Sequence, residues 1–543
     1  MLGFLTIMTL LPIIIVAVLL LVFKVPTLWC AVIGWAVAIV ISLVVFNTSI
    51  EVGMRASIHG LLTSFPISIM VIFSILQVSF MESTGCIKRV AVFLKTLAPN
   101  NQEAQIMMLN LGAGTTLVSV GATPVSVLPP IMKSLGYSNM LCIALPAIGF
   151  DALCTYSMLA APLMTYVDLT GVPLVEAAKV FSMFLPVVST MICFGMFVLV
   201  GGAKMVKKGF LAALITGLVA GFTAFAIAHI PALESAIVLT GVIAGLASIV
   251  SMVIYLKAKK SVVIDRSVLS EEDKEIEKGM SLAKALSPWL ILIVILLCVA
   301  FIPPIKNLLF VKLETAVSVV GGAQVKLRPL YNAYFWVLIS TFLSFIVLRP
   351  TRAQLSETMK KWGRRAPKPG IATMVFFALG LLMNYTGYEI MADGTFSLIE
   401  QTNNMIFVLA TVSADAFGAL YPIIVAPLGM FGGFVTSSEA SALAMFAQYN
   451  IQTGDMLGLN TLVLTAATGI AGGLASVISP AKLQNAAATI DAIGEEALVL
   501  KKTFKIAVML LIAVIILTII FCQAMPVEVG SSIAIDPNAN PYH

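Results

Sequence analysis

Charged side chains are scarce in this sequence. Asp, Glu, Lys and Arg make up 11% of the 543 residues, against 60% hydrophobic ones, and mean hydropathy reaches +1.05. A water-soluble surface needs a far larger charged fraction, so the composition excludes a soluble globular protein. Histidine is nearly absent. His59, His229 and His543 are expected in loops or at the tail, too far apart to ligate a metal together. The seven cysteines, at 30, 86, 142, 154, 193, 298 and 522, show neither CxxC nor Cys/His spacing, so neither a metal site nor a disulfide framework is expected. No Ser-His, Cys-His or HExxH arrangement supplies a nucleophile with a base or a metal set, so enzyme chemistry and a cofactor are not expected either. The net charge of +6 falls mostly in short loops and does not indicate nucleic-acid binding.

What is present is a succession of continuous apolar runs. About 20 apolar residues cross the hydrocarbon core as a helix. Only helices and closed barrels satisfy their backbone in lipid, and runs that do not alternate select helices. The runs predict spans near 3–23, 27–46, 61–80, 139–165, 178–200, 209–229 and 235–256, then 288–304, 331–348, 370–386, 458–480 and 503–525. The first run lacks a basic leader and a small-residue cleavage site, so it reads as a retained span.

Cations in short loops set the orientation. Seven lie in 349–368 and seven in 257–284, the latter offset by six acids. Lys204, Lys207 and Lys208 mark another inside loop, as do Lys88, Arg89 and Lys95. Stretches 387–404, 451–457 and 523–542 hold none. Both termini are therefore expected outside the cytoplasm. The loop 305–330 runs against this count, because it carries Lys306, Lys312, Lys326 and Arg328 yet falls outside.

Two stretches are too rich in Gly, Ser, Thr and Pro for ordinary spans: 104–133, and about 416–450 with GMFGGFVTSSEASALAMFAQYN. Each follows three spans and a link with a shared signature, MESTG at 81–85 and MNYTG at 383–387. The orientation places the first on the cytoplasmic side and the second on the outer side. The expectation is an all-α membrane protein of about 12 transmembrane helices plus two re-entrant hairpins in an inverted repeat: 1–200 the first repeat, 201–287 connecting helices and a linker, 288–543 the second. Paired interrupted segments in inverted halves point to a transport site. The plainer reading is that small residues let helices approach closely.

A broken helix leaves an end with unpaired N–H groups and partial positive charge, which suits a carboxylate. Hydroxyls beside it suit a carboxylate and a 2-hydroxyl. The candidate substrate-binding residues are Gly112, Thr115, Thr116, Ser119, Thr123 and Pro124 in the first stretch, and Gly433, Thr436, Ser437, Ser438 and Ser441 in the second, with Ser479 further on. For any single Ser or Thr, bonding back to its own helix is the competing role. Lys133 and Lys482 are the nearest cations and are expected toward an aqueous face, leaving dipoles and hydroxyls to hold the anion. Asp151, Asp415 and Glu439 fall in apolar surroundings, where a carboxyl is functional or neutral. Glu439 and then Asp151 are the proton-coupling candidates, with capping of a helix start as the alternative.

Three motifs carry a family resemblance: GAGTTLVSVGATPVSVLPPIMKSLGYS (Gly112–Ser138), FVTSSEASALAMF (Phe434–Phe446) and GIAGGLASVISPAKL (Gly469–Leu483). In these, and along nearly its full length, the chain resembles the bacterial lactate permeases, which carry lactate and glycolate. It departs from them at Thr116, where an acidic residue is usual, and at Leu443, Ala481 and Ser476, where Asn, Gln and Lys are usual. The resemblance implies proton-coupled uptake of a small 2-hydroxymonocarboxylate across the inner membrane, with homo-oligomerisation left open. The departures keep a second reading alive, a proton- or sodium-coupled carrier of a dicarboxylate or gluconate. A channel is a third, and a sensor would need an output domain larger than the 257–287 linker.

Overall fold

The computed structural model describes residues 2–321 and 323–525; the expectations for His543 and for the cation-free tail beyond 525 lie outside the described residues. Among these, nine helices are long and apolar enough to cross a membrane, or ten if the bent pair Asn139–Gly149 and Cys154–Thr170 forms one span. Helix Leu174–His229 counts once but is two limbs: at 56 residues it would reach about 84 Å if straight, far beyond a bilayer core. It folds back at Gly201–Gly202, where Gly202 takes φ +59°, and Gly217 and Gly221 then lie against Thr190 and Pro186.

The basic segments converge on one face. Arg365 and Lys361 pair with Glu82 at 2.8 and 3.7 Å, Lys208 with Glu103 at 3.0 Å, and Arg89 and Lys95 with Glu277 and Asp273 at 3.1 and 2.8 Å. The opposite face carries two strand pairs that hydropathy did not predict, Thr315–Val320 with Ala323–Leu327 and Tyr388–Ile390 with Phe396–Leu398. The first of these falls in the loop that runs against the charge count.

Both irregular stretches reverse direction. In the first, Gln102–Ile106 continues through a π-helical stretch, Met107–Ala113, and Gly114–Ser119. The turn falls at Val120–Thr123, with Gly121 at φ +88°, and Pro124–Ser134 follows. In the second, Pro422–Thr436 ends at Ser437 in the left-handed conformation (φ 60°, ψ 21°) and Ser438 starts Glu439–Leu457. Gly432 faces Ala442 and Phe446, so the limbs run antiparallel. The MESTG and MNYTG signatures both stop a helix: Gly85 and Gly387 have φ +83° and +73°, a conformation that costs glycine little.

Four expectations are corrected. The span at 139–165 is not continuous: it breaks between Gly149 and Cys154. A second break, at Ser479, falls at the end of the span at 458–480, which runs through Thr461–Leu474 and Ala475–Ile478 before Pro480–Ala488. Pro480 fixes that second break, because proline has no N–H to donate and suits the first helical position. His59 is not in a loop but inside Ile50–Thr63, against the Tyr385 ring at 6.0 Å, and His229 ends a helix. Asp415 lies exposed on a separate helix, Met405–Phe417, ahead of the second reversal.

Close approach of Pro422–Thr436 to Thr461–Leu474 fixes the second hairpin. A Cβ added at Gly429 or Gly433 would fall on the carbonyl oxygen of Thr468 or Gly472. Gly433→Val is expected to destabilise the detergent-solubilised protein by about 1–3 kcal/mol through overpacking, measured as a lowered thermal midpoint. Gly363→Ala, whose Cβ meets nothing within 4 Å, is expected to leave the midpoint unchanged or raise it.

Candidate functional site

The turns and breaks of the chain meet around one cavity of about 480 Å³. The first reversal contributes Ala122 and Thr123, and the second contributes Thr436, Ser437, Ser438 and Glu439. The first broken span contributes Phe150, Cys154, Ser157 and Met158, and the second Ala481 and Lys482. Three helices begin in this wall, at Pro124, Glu439 and Pro480, with Thr123, Ser438 and Ser479 at their N-cap positions. The Ser438 side chain accepts from Ser441 N. Side-chain caps are absent at Thr123 and Ser479, so the first N–H groups of those helices keep their need for an acceptor.

Lys482 is the correction that matters most. It is partly exposed, on the wall of the cavity itself. Its ammonium lies 3.7 Å from the Phe150 ring centroid and donates to Ser476 Oγ at the cavity wall. The cause is the break itself: with Pro480 at the helix start, Lys482 falls in the first turn and projects where the helix meets the cavity. Lys133, by contrast, is exposed and donates to Ile490 O at 2.7 Å.

Two carboxyls flank this cation, both almost wholly buried: Asp151 at 3% and Glu439 at 2% exposure. Each is held by a segment distant in the chain. Val477 N donates to Asp151 Oδ2 at 3.2 Å, and the Thr155 hydroxyl donates to Glu439 Oε1 at 2.7 Å. Asp151 Oδ1 and Glu439 Oε2 have no hydrogen-bond partner among the described residues. A Cβ at Gly473 would come 2.7 Å from Glu439 Oε2 and 2.8 Å from Cys154 Cβ, so the glycine leaves room for both. Two further bonds close the ring of segments: Ser437 Oγ with Ser479 Oγ at 2.7 Å and Asn485 Nδ2 to Ser126 Oγ at 3.0 Å.

The sequence candidates divide sharply. Thr123, Thr436, Ser437, Ser438 and Glu439 reach the cavity; Ser479 and Asp151 stand behind it through the bonds just given. Pro124 opens its helix beside Thr123. The others do not line it. Gly112 sits against Ile249, Thr116 and Ser119 bond back to Gly112 O and Thr115 O at 2.9 and 2.7 Å, and all three face helix Thr240–Ala258 through Gly241 and Gly245. Thr115 and Ser441 are buried with unpartnered hydroxyls, and Gly433 is a packing residue. Sequence reasoning missed Phe150, Cys154 and Ser157, because it treated the span at 139–165 as intact, and it gave Lys482 no part in holding the anion. Pro480 inside GIAGGLASVISPAKL was the available signal.

A model of the L-lactate permease family matches residues 5–525. The chain belongs to that family. Its relatives are distant. It is 21% identical to an L-lactate permease of Streptococcus iniae over 80% of this chain and 87% of that one. It is 22% identical to the glycolate permease GlcA of Escherichia coli K12 over 93% of each. Among solved structures it is similar to Neisseria gonorrhoeae MtrF, described with a class of antimetabolite efflux pumps, at 13% identity and a TM-score of 0.43 over 87% of this chain and 84% of that one. Permeases of this family are transporters rather than enzymes, and this member is a multi-pass membrane protein whose cavity lies among its helices.

The Ser437–Ser479 bond joins the second reversal to the second break. A double-mutant cycle on Ser437→Ala and Ser479→Ala is expected to give a coupling of about 1 kcal/mol in thermal stability. Additive single effects would show that the two segments are held by packing alone.

Proposed function

We propose that the chain carries L-lactate or a related small 2-hydroxymonocarboxylate such as glycolate across the plasma membrane, with a proton as the coupling ion. The observation that carries this reading is a single cavity where three helix N-termini and the Lys482 ammonium lie together. A carboxylate satisfies both the partial charges of the helix ends and the cation. The hydroxyls of Ser437, Ser438 and Thr123 suit the 2-hydroxyl. On this reading the molecule is an inverted repeat of about 12 spans, the two reversals are re-entrant hairpins, the basic face is cytoplasmic, and both termini are outside.

Coupling follows from charge. An ionised carboxylate held out of water is costly unless it is paired with a cation or takes up a proton. Asp151 and Glu439 share Lys482 as their neighbouring cation. A substrate carboxylate that engages Lys482 removes the charge partner that an ionised acid needs. Anion binding and proton uptake on Glu439 or Asp151 therefore favour one another, which is the requirement for symport. Lys368, a second cation on the cavity wall, favours the alternative of a dicarboxylate, and counterflow with unlabelled competitors separates the two solutes.

Purified protein in liposomes is expected to take up labelled L-lactate when a pH gradient is imposed and not when a sodium gradient replaces it. Lys482→Met, which removes a charge-assisted bond worth about 1.5–3 kcal/mol, is expected to raise KM about 10- to 100-fold. Glu439→Gln is expected to abolish uphill uptake while leaving lactate exchange intact. Equal loss of both activities in a folded Glu439→Gln protein rules out its proton role.

A further inference from the structure

A second cavity, of about 300 Å³, lies on the face opposite the basic segments. The strand Ala323–Leu327 covers it, and His59, Tyr385, Gln448 and Gln452 lie in its wall. Two of these carry buried polar atoms without a partner among the described residues: Nδ1 of His59, which is only 8% exposed, and Oε1 of Gln452. The charged groups in the wall are Lys326, Arg328 and Asp168. Arg328 is engaged with Glu314 and lies over the Phe310 ring.

This cavity stands in line with the first. The same four helices pass both. Helix Pro367–Asn384 offers Phe376 to one and Leu381 to the other, and helix Glu439–Leu457 offers Glu439 and Gln448. At 1.5 Å per residue these separations are about 8 and 14 Å along the helices. A compact apolar cluster fills the interval: Ile67, Ala161, Phe377, Ala440 and Ala444. Ile67 lines the first cavity, as do Val71 and Met158, which pack on the cluster, whereas Leu169, also packed on the cluster, lines the second.

We infer that the second cavity is the outer access site of the carrier, where a carboxylate-bearing solute is held by His59 and Lys326 before the Phe377 cluster parts. This rests on the reading of the chain as an organic-anion carrier. His59 Nδ1 is buried in the wall without a partner among the described residues; in one tautomer it is an N–H donor that a solute reaches once the ring or the wall shifts. Lys326 supplies the charge, and the apolar cluster keeps the two cavities from being open to each other. A site of this kind concentrates anions at the mouth of the path.

The test uses full-length protein in right-side-out vesicles, with Cys298 and Cys522 replaced by Ser and Gln324→Cys placed in the exposed cavity wall. Labelling rates are compared for anionic and cationic thiosulfonates of equal size, each normalised to a neutral one. The anionic reagent is expected to react about fivefold faster or more, an electrostatic steering effect. Lys326→Ala and His59→Ala are each expected to bring the ratio toward one, and millimolar L-lactate to slow anionic labelling. A ratio at or below one, or the absence of protection by any carboxylate, overturns the inference. Protection by a dicarboxylate but not by lactate upholds the access site and overturns the lactate reading.

Discussion

Broken helices in an apolar surrounding must have their backbone ends covered, and this constraint organises the whole molecule. Lipid supplies no hydrogen bonds, so each interruption survives only where protein or a water-lined cavity meets it. The chain has four interruptions near one another: the turns at Val120–Thr123 and Ser437–Ser438, and the breaks near Asp151 and Ser476. They satisfy one another. Ser437 bonds Ser479, Val477 N bonds Asp151, and Thr155 bonds Glu439. Helix Thr240–Ala258 backs the first turn through glycines, and helix Thr461–Leu474 backs the second in the same way. The cavity is what remains where these ends cannot fully close.

Mutual cover has a consequence for mechanism. The two buried acids take their hydrogen bonds from segments other than their own: Asp151 from the second break, Glu439 from the first. No rearrangement that separates those segments can leave both acids as they are. An acid that loses its donor becomes harder to keep ionised in a dry site. In the proposed carrier, conformation and protonation are thereby linked through the same few bonds, and Lys482 links both to the anion.

The sequence made the membrane class, most of the apolar runs and both reversals legible, because long apolar runs and Gly-Ser-Thr-Pro clusters are local signals. Glu439 and Asp151 stood out for the same reason: a carboxyl in an apolar run is conspicuous wherever it packs. The breaks inside 139–165 and at the end of 458–480 were hidden, since hydropathy stays high through them and only Pro480 or the Phe150–Asp151 pair marks the interruption. Lys482 was given no part in holding the anion. Thr116 and Ser119 show the opposite failure. Their hydroxyl-rich motif resembles a binding stretch, yet back-bonding and close packing against Gly241 and Gly245 use it up. Which face of a helix meets a cavity is decided by its neighbours, and composition carries no record of them.

The barrier between the two cavities is short, and its construction follows from residue size. Three of its five core members are alanines, and Phe377 supplies most of the bulk. Small residues let helices lie close while offering little interlocking area, so such a contact parts at lower cost than a core of Leu and Ile. Beside it, Met158, Leu159 and Ala160 all adopt left-handed backbone angles, φ 49°, 59° and 59°, a conformation that costs L-residues roughly 1–2 kcal/mol each. Met158 lines the inner cavity and packs on the barrier. A strained turn and a weakly interlocked plug therefore share one wall, and the surrounding helices hold both in place. In the proposed carrier, that juxtaposition marks a place where a small displacement would join the two cavities.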